Sequence, residues 1–253
     1  MPLTPDDGFG KLALDVTVPV LNEEKRLEAG VLGVVAFLEA WNIASTRIVI
    51  VDNGSTDATT AIAGRLASEH PSLVSFLRIQ QRGVGAAIRS SWTASSADIV
   101  GYMDVDLATD LLHLLEVLEL FEQGEVKVVN GSRLLAGSVV RDRSLWRGFT
   151  SRTLNAVMRA SLGVGFTDAM TGFKFFERQH ALMLLAQTPE IPDWFVAAEM
   201  LVRSEWVGVP AKEIAIRWQD DRASKANVPR LARQYLGHIL RLKHERRARM
   251  RDA

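Results

Sequence analysis

The chain has 253 residues, no cysteine, and 30 basic against 30 acidic side chains. Without cysteine, a disulfide framework and thiolate metal ligands are excluded, and the neutral balance argues against a general nucleic-acid binder. No apolar run approaches the length of a membrane span, and residues 1–7 lack the basic and apolar regions of a signal peptide. We therefore expect a cytoplasmic protein, either soluble or in peripheral contact with the inner face of a membrane.

Short apolar runs alternate with helical patterns along the chain. This alternation predicts the α/β class, with a mostly parallel sheet covered by helices on both faces. Ser55 or Asp57 is placed to cap the second helix. The predicted strands cover residues 12–20, 47–51, 73–79, 98–103 and 126–129. The predicted helices cover residues 24–41, a segment that ends near 68, and residues 84–94 and 111–122.

Polar side chains follow the predicted strands at the ends where ligands bind in such sheets. These residues are Asn22, Asp52, Asp104 and Asp106. Asp104 and Asp106 are one residue apart, so both carboxylates point to the same side. They offer hard oxygen ligands suited to Mg²⁺ or Mn²⁺ that carries phosphate. The alternative is an ordinary acidic pair at a solvated strand end.

Two glycines, Gly83 and Gly85, lie directly before a predicted helix. Glycine allows close backbone approach, and a helix N-terminus attracts anions, so this loop is suited to lie beside a nucleotide. Arg133, further along the chain, follows the fifth predicted strand. It begins a cationic series that continues with Arg143, Arg147 and Arg152, for which a solvated helix face is the alternative.

The C-terminal part of the chain differs from the rest in charge. Basic residues dominate over residues 222–251, and a helix is predicted from residue 229 to about residue 250. Two alternatives remain for this helix: its apolar stripe packs on the main domain, or it lies on an anionic bilayer. We expect one compact domain over residues 1–220 and an appendage over residues 221–253. The apolar stripe consists of Leu231, Tyr235, Ile239 and Leu242.

Six short motifs occur in the order seen in a known enzyme family. The chain resembles the inverting family 2 glycosyltransferases, which have the Rossmann-like GT-A fold. Its second half is similar to the dolichyl-phosphate and polyprenyl-phosphate hexosyltransferases. The six motifs are VPVLNE (18–23), IVIVDNGSTD (48–57), GVGAA (83–87), MDVD (103–106), GSR (131–133) and TGFK (171–174). The second-half segments are GFKFF (172–176), WFVAAEM (194–200), EIAIRW (213–218) and SK (224–225).

The resemblance implies an activity and its partners. It implies transfer of a hexose from UDP-glucose or GDP-mannose to a polyprenyl or dolichyl phosphate, with UDP-glucose favoured because Ala108 and Thr109 match the glucosyl branch. Two alternatives are a transferase that acts on a soluble hydroxyl acceptor and a nucleotide-sugar-binding protein without catalysis. The oligomeric state is not indicated.

The resemblance also implies donor-side roles. Asp52 would contact the nucleobase, although a turn aspartate that satisfies its own backbone is the alternative. The metal ligands would be Asp104 and Asp106, and Asp106 would also be catalytic. The mannosyl branch has a glutamine metal ligand where this chain has Ala108, so water or diphosphate would take that place. The other donor-binding residues implied are Pro19, Asn22, Glu23, Gly83 and Gly85.

On the acceptor side, Arg133 and then Arg152 are the residues implied to bind the lipid phosphate, and Arg133 is also implied to be catalytic. Glu199 is the remaining catalytic candidate, as a base or as a group that orients the donor sugar or an arginine. Many family members that act on a lipid phosphate carry an acidic residue two positions before this glutamate, where this chain has Ala197. A mobile phosphate-binding loop is implied at Arg222, Ser224 and Lys225, for which a surface charge run is the alternative.

Overall fold

A computed structural model describes residues 11–219 and 228–252. Nine strands and eight helices form within these ranges. The strands are β1 (Leu14–Val20), β2 (Thr46–Asp52), β3 (Val74–Arg78), β4 (Ile99–Met103), β5 (Val128–Ser132), β6 (Val139–Arg141), β7 (Phe173–Glu177), β8 (Lys212–Ala215) and β9 (Arg217–Gln219). The helices are α1 (Leu27–Ala40), α2 (Thr59–Glu69), α3 (Val84–Ala94), α4 (His113–Glu122), α5 (Leu145–Leu162), α6 (Arg178–Gln187), α7 (Phe195–Trp206) and α8 (Val228–Asp252).

Seven strands form the central sheet in the order β3-β2-β1-β4-β7-β5-β8. The first four in this order are mutually parallel, and β5 pairs parallel with β8. Only β7 runs antiparallel within this described sheet, between β4 and β5. The α/β class and the mostly parallel sheet predicted from the sequence are confirmed. β6 and β9 form a separate two-stranded parallel sheet.

The sheet is covered by helices on both faces, as predicted. Because successive side chains of a strand point to opposite faces, β4 contributes to two cores. Ile99 and Met103 pack with α1, α2 and α4. Val100 and Tyr102 face the other way and pack with α3 and α5 to α8. Burial on both faces explains why β4 reads as a continuous apolar run.

The predicted elements differ from the structure mainly at their ends. The helix predicted over residues 84–94 has those bounds in the structure, whereas the strand predicted over 126–129 runs from Val128 to Ser132. Asp57 accepts a hydrogen bond from the Thr59 N–H at 3.0 Å, so it does satisfy the start of α2. Ser55 instead accepts from the Asn22 N–H, at 2.9 Å.

The C-terminal helix α8 packs on the main domain. Tyr235, Ile239 and Leu242 are buried in the core shared with α7, and Leu231 is partly buried. The first alternative is therefore confirmed for these three side chains, which are not available to a bilayer. No helix in the described part of the chain is long and apolar enough to cross a membrane.

Buried ion pairs also join α8 to α7. The Glu199 carboxylate is fully buried and accepts hydrogen bonds from Arg203 Nε and Nη2 at 2.9 and 2.7 Å. Arg241 of α8 donates to both oxygens of the same carboxylate. Glu245, one turn along α8, in turn accepts from Arg203. This network fixes the position of α8 because a buried charge without its partner is costly.

One glycine in β4 is required by packing. A Cβ at Gly101 would lie 2.1 Å from Cδ1 of the buried Phe175, so Gly101→Ala should lower the free energy of unfolding by about 1–3 kcal/mol through overpacking. Gly64→Ala in α2 is the control, since no atom lies within 4 Å of its added Cβ. It should raise stability by about 0.5–1 kcal/mol through helix propensity. Urea denaturation measures both, and a neutral Gly101→Ala would contradict the packing argument.

Removal of the buried carboxylate on α7 should destabilise the fold. Glu199→Gln leaves Arg203 paired with Glu245 alone and Arg241 with only a 3.9 Å contact to Glu245, so we expect a loss of about 3 kcal/mol of unfolding free energy. Glu69→Gln is the matched control, because Glu69 forms an exposed pair with Arg65 and should cost much less. Urea denaturation measures the stability of both variants. Equal stability of the two variants would show that the network does not hold α8.

Candidate active site

A cavity of about 1120 Å³ opens at the carboxyl ends of β1, β4 and β5. Six of the predicted site residues line it: Pro19, Asn22, Glu23, Asp104, Asp106 and Arg133. Five others do not: Asp52, Gly83, Gly85, Arg152 and Glu199. Three predicted residues, Arg222, Ser224 and Lys225, lie outside the residues that the structure describes.

The carboxylate pair lies directly after β4. Asp106 is exposed and accepts a hydrogen bond from the Ala108 N–H at 3.1 Å, whereas Asp104 is partly buried. Burial, followed by the negative charge of Asp106, raises the pKa of Asp104 to about 7, against the opposing charges of Lys174 and Arg133. Two mutually repelling carboxylates are a donor set that a divalent cation fits. Because the described residues contain no cluster of three acidic or histidine side chains, such a cation needs further ligands from water or substrate.

Position 172, next to the carboxylate pair of Asp104 and Asp106, has room only for glycine. The antiparallel register of β4 and β7 pairs Met103 with Phe173, which brings Gly172 next to the Asp104 carboxylate. A Cβ at Gly172 would lie 2.0 Å from Asp104 Oδ2, so any side chain here would displace the carboxylate. The sequence contained this residue within a motif but did not indicate its contact with Asp104.

Arg133 is held by a buried carboxylate that the sequence analysis missed. Its Nε and Nη2 donate to Asp168 Oδ2 and Oδ1 at 2.8 and 3.1 Å, and its guanidinium lies 4.9 Å from the centre of the Trp218 ring. Burial favours the neutral acid, but the charge and hydrogen bonds of Arg133 dominate and lower the pKa of Asp168 to about 2. Asp168 therefore fixes the direction of the guanidinium that lines the cavity.

Lys174 is a second buried ionisable group, and it interacts with Asp168, Arg133 and Asp104. Its ammonium donates to the carbonyl and, at 3.0 Å, to the hydroxyl of Thr171. Burial lowers the pKa of Lys174 to about 7, assisted by Arg133 and opposed by the carboxylates of Asp168 and Asp104. When protonated, Lys174 contributes positive potential near Asp104, a role that the sequence did not indicate.

The helix α5 provides the cationic wall of the cavity. Arg147, Thr150, Ser151 and Leu154 line it, with the spacing of one helical face. Arg152 is exposed on a different face because each residue of a helix turns by about 100°. The structure therefore brings Arg147, together with Arg143, to the cavity and not Arg152. The buried hydroxyl of Ser151 has no hydrogen-bond partner among the described residues.

The structure gives Asp52 a local role. Its Oδ1 accepts from the Gly54 and Ser55 N–H groups at 3.1 and 2.8 Å, and its Oδ2 accepts from the Thr60 hydroxyl. Burial raises the pKa of Asp52, but these hydrogen bonds together lower it below its usual value. The carboxylate shapes the loop after β2, which Asn22 also holds by accepting from the Thr56 N–H at 2.8 Å. Contact with a nucleobase stays a prediction.

The two glycines before α3 approach another part of the chain. A Cβ at Gly83 would lie 2.1 Å from the Pro192 carbonyl oxygen, and one at Gly85 would lie 1.8 Å from the Ile191 carbonyl oxygen. The Gly85 N–H donates to the Pro192 carbonyl at 3.1 Å. The close approach predicted for these glycines is therefore present, and its partner is the segment before α7. Contact of this loop with a nucleotide stays a prediction.

Glu199, the other catalytic candidate, does not face the cavity. Of the roles considered for it, the structure shows the contact with arginines, here Arg203 and Arg241. A role as base has no support from this geometry because both carboxylate oxygens already accept hydrogen bonds from guanidinium groups.

The fold is shared with solved structures. Glucosyl-3-phosphoglycerate synthase from Mycobacterium tuberculosis, in complex with UDP, aligns with a TM-score of 0.66 at 22% identity and covers 92% of this chain and 81% of its own. The same synthase in complex with Mn²⁺, UDP and glucosyl-3-phosphoglycerate also aligns with a TM-score of 0.66. At this identity the likeness shows the fold alone, which is of the GT-A type.

Sequence comparisons identify the family. The chain is 33% identical over 218 residues to glycosyltransferase AglD of Haloferax volcanii, covering 86% of this chain and 35% of that protein. It is 27% identical over 223 residues to dolichyl-phosphate beta-glucosyltransferase of Dictyostelium discoideum, covering 84% and 68%. The chain thus spans about a third of the first relative and about two thirds of the second. Residues 15–181 match the profile of glycosyl transferase family 2, and the chain belongs to that family.

Proposed function

We propose that this chain transfers a hexose from a nucleoside diphosphate sugar to a polyprenyl phosphate and inverts the anomeric configuration. The leading donor is UDP-glucose, and GDP-mannose is the alternative. The observation that carries the proposal is that one cavity has a carboxylate pair, Asp104 and Asp106, together with a wall of arginines. This arrangement separates a place for a metal-bound diphosphate from a place for an anionic acceptor.

The carboxylate end is suited to the donor. Asp104 and Asp106 would hold Mg²⁺ or Mn²⁺, with Ala108 leaving a ligand position to water or diphosphate. When bound, the cation would offset the charge that develops on the departing nucleoside diphosphate. Gly172 keeps the space in which the Asp104 carboxylate lies. Pro19, Asn22 and Glu23 line the same end and would contact the nucleoside.

The arginine wall is suited to the acceptor phosphate. Arg143 and Arg147 line the cavity, and planar guanidinium groups bind phosphate oxygens through two hydrogen bonds. The hydroxyl of Ser151 adds a donor that has no partner among the described residues. Arg133 also lines the cavity, with its orientation fixed by Asp168. It would stabilise negative charge on acceptor and leaving group alike.

The ion pairs of Glu199 with Arg203 and Arg241 also agree with a phosphate acceptor. A phosphate oxygen is already anionic and attacks the anomeric carbon without a strong base, whereas a hydroxyl acceptor needs one. The two ion pairs of Glu199 leave it unsuited to that task. This favours a phosphate over a hydroxyl as the acceptor group, and the dolichyl-phosphate beta-glucosyltransferases among the relatives support a lipid as the carrier of that phosphate.

The metal assignment predicts the effect of removing either carboxylate. Asp104→Asn and Asp106→Asn should each lower hexose transfer by at least about a hundredfold, the scale on which lost electrostatic stabilisation acts, while the fold stays intact. Asp110→Asn is the matched control, because Asp110 lies in the same loop but pairs with Arg217 at the surface. Radiolabelled sugar transfer with added Mn²⁺ measures the rates. Undiminished transfer by both variants in excess chelator would rule out the metal site.

The acceptor assignment predicts a difference between two arginines of α5. Arg147→Lys keeps the charge but loses the planar fork, so the KM for a short-chain prenyl phosphate should rise about tenfold or more while UDP affinity is unchanged. Arg152→Lys, on the exposed face of the helix, should leave both quantities unchanged. Steady-state kinetics and calorimetry with UDP make the comparison. A larger effect of Arg152→Lys would assign the acceptor phosphate to the other face of α5.

A further inference from the structure

The first turns of α5 carry an unusually exposed apolar cluster, which consists of Leu145, Trp146 and Phe149. These side chains are 93%, 64% and 62% exposed. The two aromatic rings stack on one another, with centroids 6.1 Å apart and an angle of 26° between the ring planes. Exposed apolar groups concentrated on one helix end indicate a surface that contacts another apolar phase.

The cluster is surrounded by positive charge. Residues 139–152 contain four arginines and one aspartate, Asp142. Two of these arginines, Arg143 and Arg147, line the cavity, so the apolar cluster lies beside its cationic wall. An apolar tip between arginines matches the interface of an anionic bilayer, where acyl chains lie directly below phosphate groups.

We propose that Leu145, Trp146 and Phe149 insert into the interface of an anionic lipid bilayer and thereby bring the arginine wall to the level of the phosphate groups. The proposal deepens the proposed function, because it gives a lipid phosphate a route from the bilayer into the cavity. The surface differs from the predicted stripe of α8, of which Tyr235, Ile239 and Leu242 are buried.

The size of the cluster favours a bilayer over a second copy of this chain. Each aromatic side chain buries at most about 150–250 Å², so three side chains provide less than the roughly 800 Å² per partner of a stable protein interface. Binding to an anionic bilayer needs less apolar area, because electrostatic attraction of the arginines to the lipids adds to it. Trp and Phe beside arginine are also the side chains that amphipathic surfaces place at the boundary between acyl chains and headgroups.

Vesicle flotation tests the proposal on the full chain. The wild type should float with vesicles of phosphatidylcholine and phosphatidylglycerol, and high salt should weaken this binding. The triple variant Leu145→Gln, Trp146→Gln, Phe149→Gln should lose partitioning by on the order of tenfold or more. A matched triple variant, Leu32→Gln, Leu112→Gln, Met183→Gln, removes three exposed apolar side chains elsewhere and should float like the wild type. Thermal unfolding checks that both variants are folded.

Transfer assays separate this proposal from the proposed function. The cluster variant should keep wild-type transfer to a water-soluble short-chain prenyl phosphate and lose transfer to a long-chain acceptor embedded in vesicles. If the wild type floats through the cluster but transfers hexose to neither acceptor, the proposed function fails and the docking surface stands.

Three results would overturn the docking surface. The first is absence of wild-type flotation at low salt, and the second is flotation of the cluster variant equal to that of the wild type. The third is conversion of a dimer to a monomer by the cluster substitutions, seen by light scattering, which would assign the surface to a second copy.

Discussion

The ion pair between Arg133 and Asp168 is the interaction on which the site depends. A fully buried carboxylate is costly, and here two hydrogen bonds from the Arg133 side chain and others from Asn155 and the Met170 N–H offset that cost. Through these contacts Asp168 links the end of β5 to α5, while its own carbonyl accepts a hydrogen bond from Asn130 of β5. The end of β5 and the arginine wall of α5 are thereby held in a fixed relation.

Two groups in the same region, Asp104 and Lys174, have pKa values close to neutral pH. Burial raises the pKa of Asp104 and lowers that of Lys174, and each group favours the charged form of the other. Asp106 instead favours the uncharged form of Asp104, since like charges repel. A cation that binds between the two carboxylates would remove that repulsion. The charged form of Asp104 would then be favoured.

The sequence predicted those features that depend on local pattern. The alternation of strands and helices gave the sheet, and the ends of its strands gave the positions of Asp104, Asp106 and Arg133. Contacts between distant segments could not be predicted in this way. Asp168 comes 35 residues after Arg133, and the partner of Glu199 on α8 comes 42 residues after it.

The rotation of α5 and the partners of two glycines also escaped prediction. Which arginine faces the cavity depends on how α5 packs against α8. A short motif around Arg152 does not indicate that packing. A glycine pair before a helix indicates close approach, yet the approaching group is set by the fold, and at Gly83 it is the backbone of Pro192. Local patterns therefore predicted several of the residues that line the cavity, while tertiary packing decided which other side chains face it.

The configuration of the product tests the central claim most directly. Purified protein would be incubated with UDP-α-glucose, Mn²⁺ and a short-chain prenyl phosphate, and the anomeric carbon of the product examined by proton and phosphorus NMR. Single in-line attack by the acceptor phosphate within this cavity predicts a β-glucosyl phosphate as the product. An α-linked product, or absence of transfer from both UDP-glucose and GDP-mannose to the prenyl phosphate, would contradict the account.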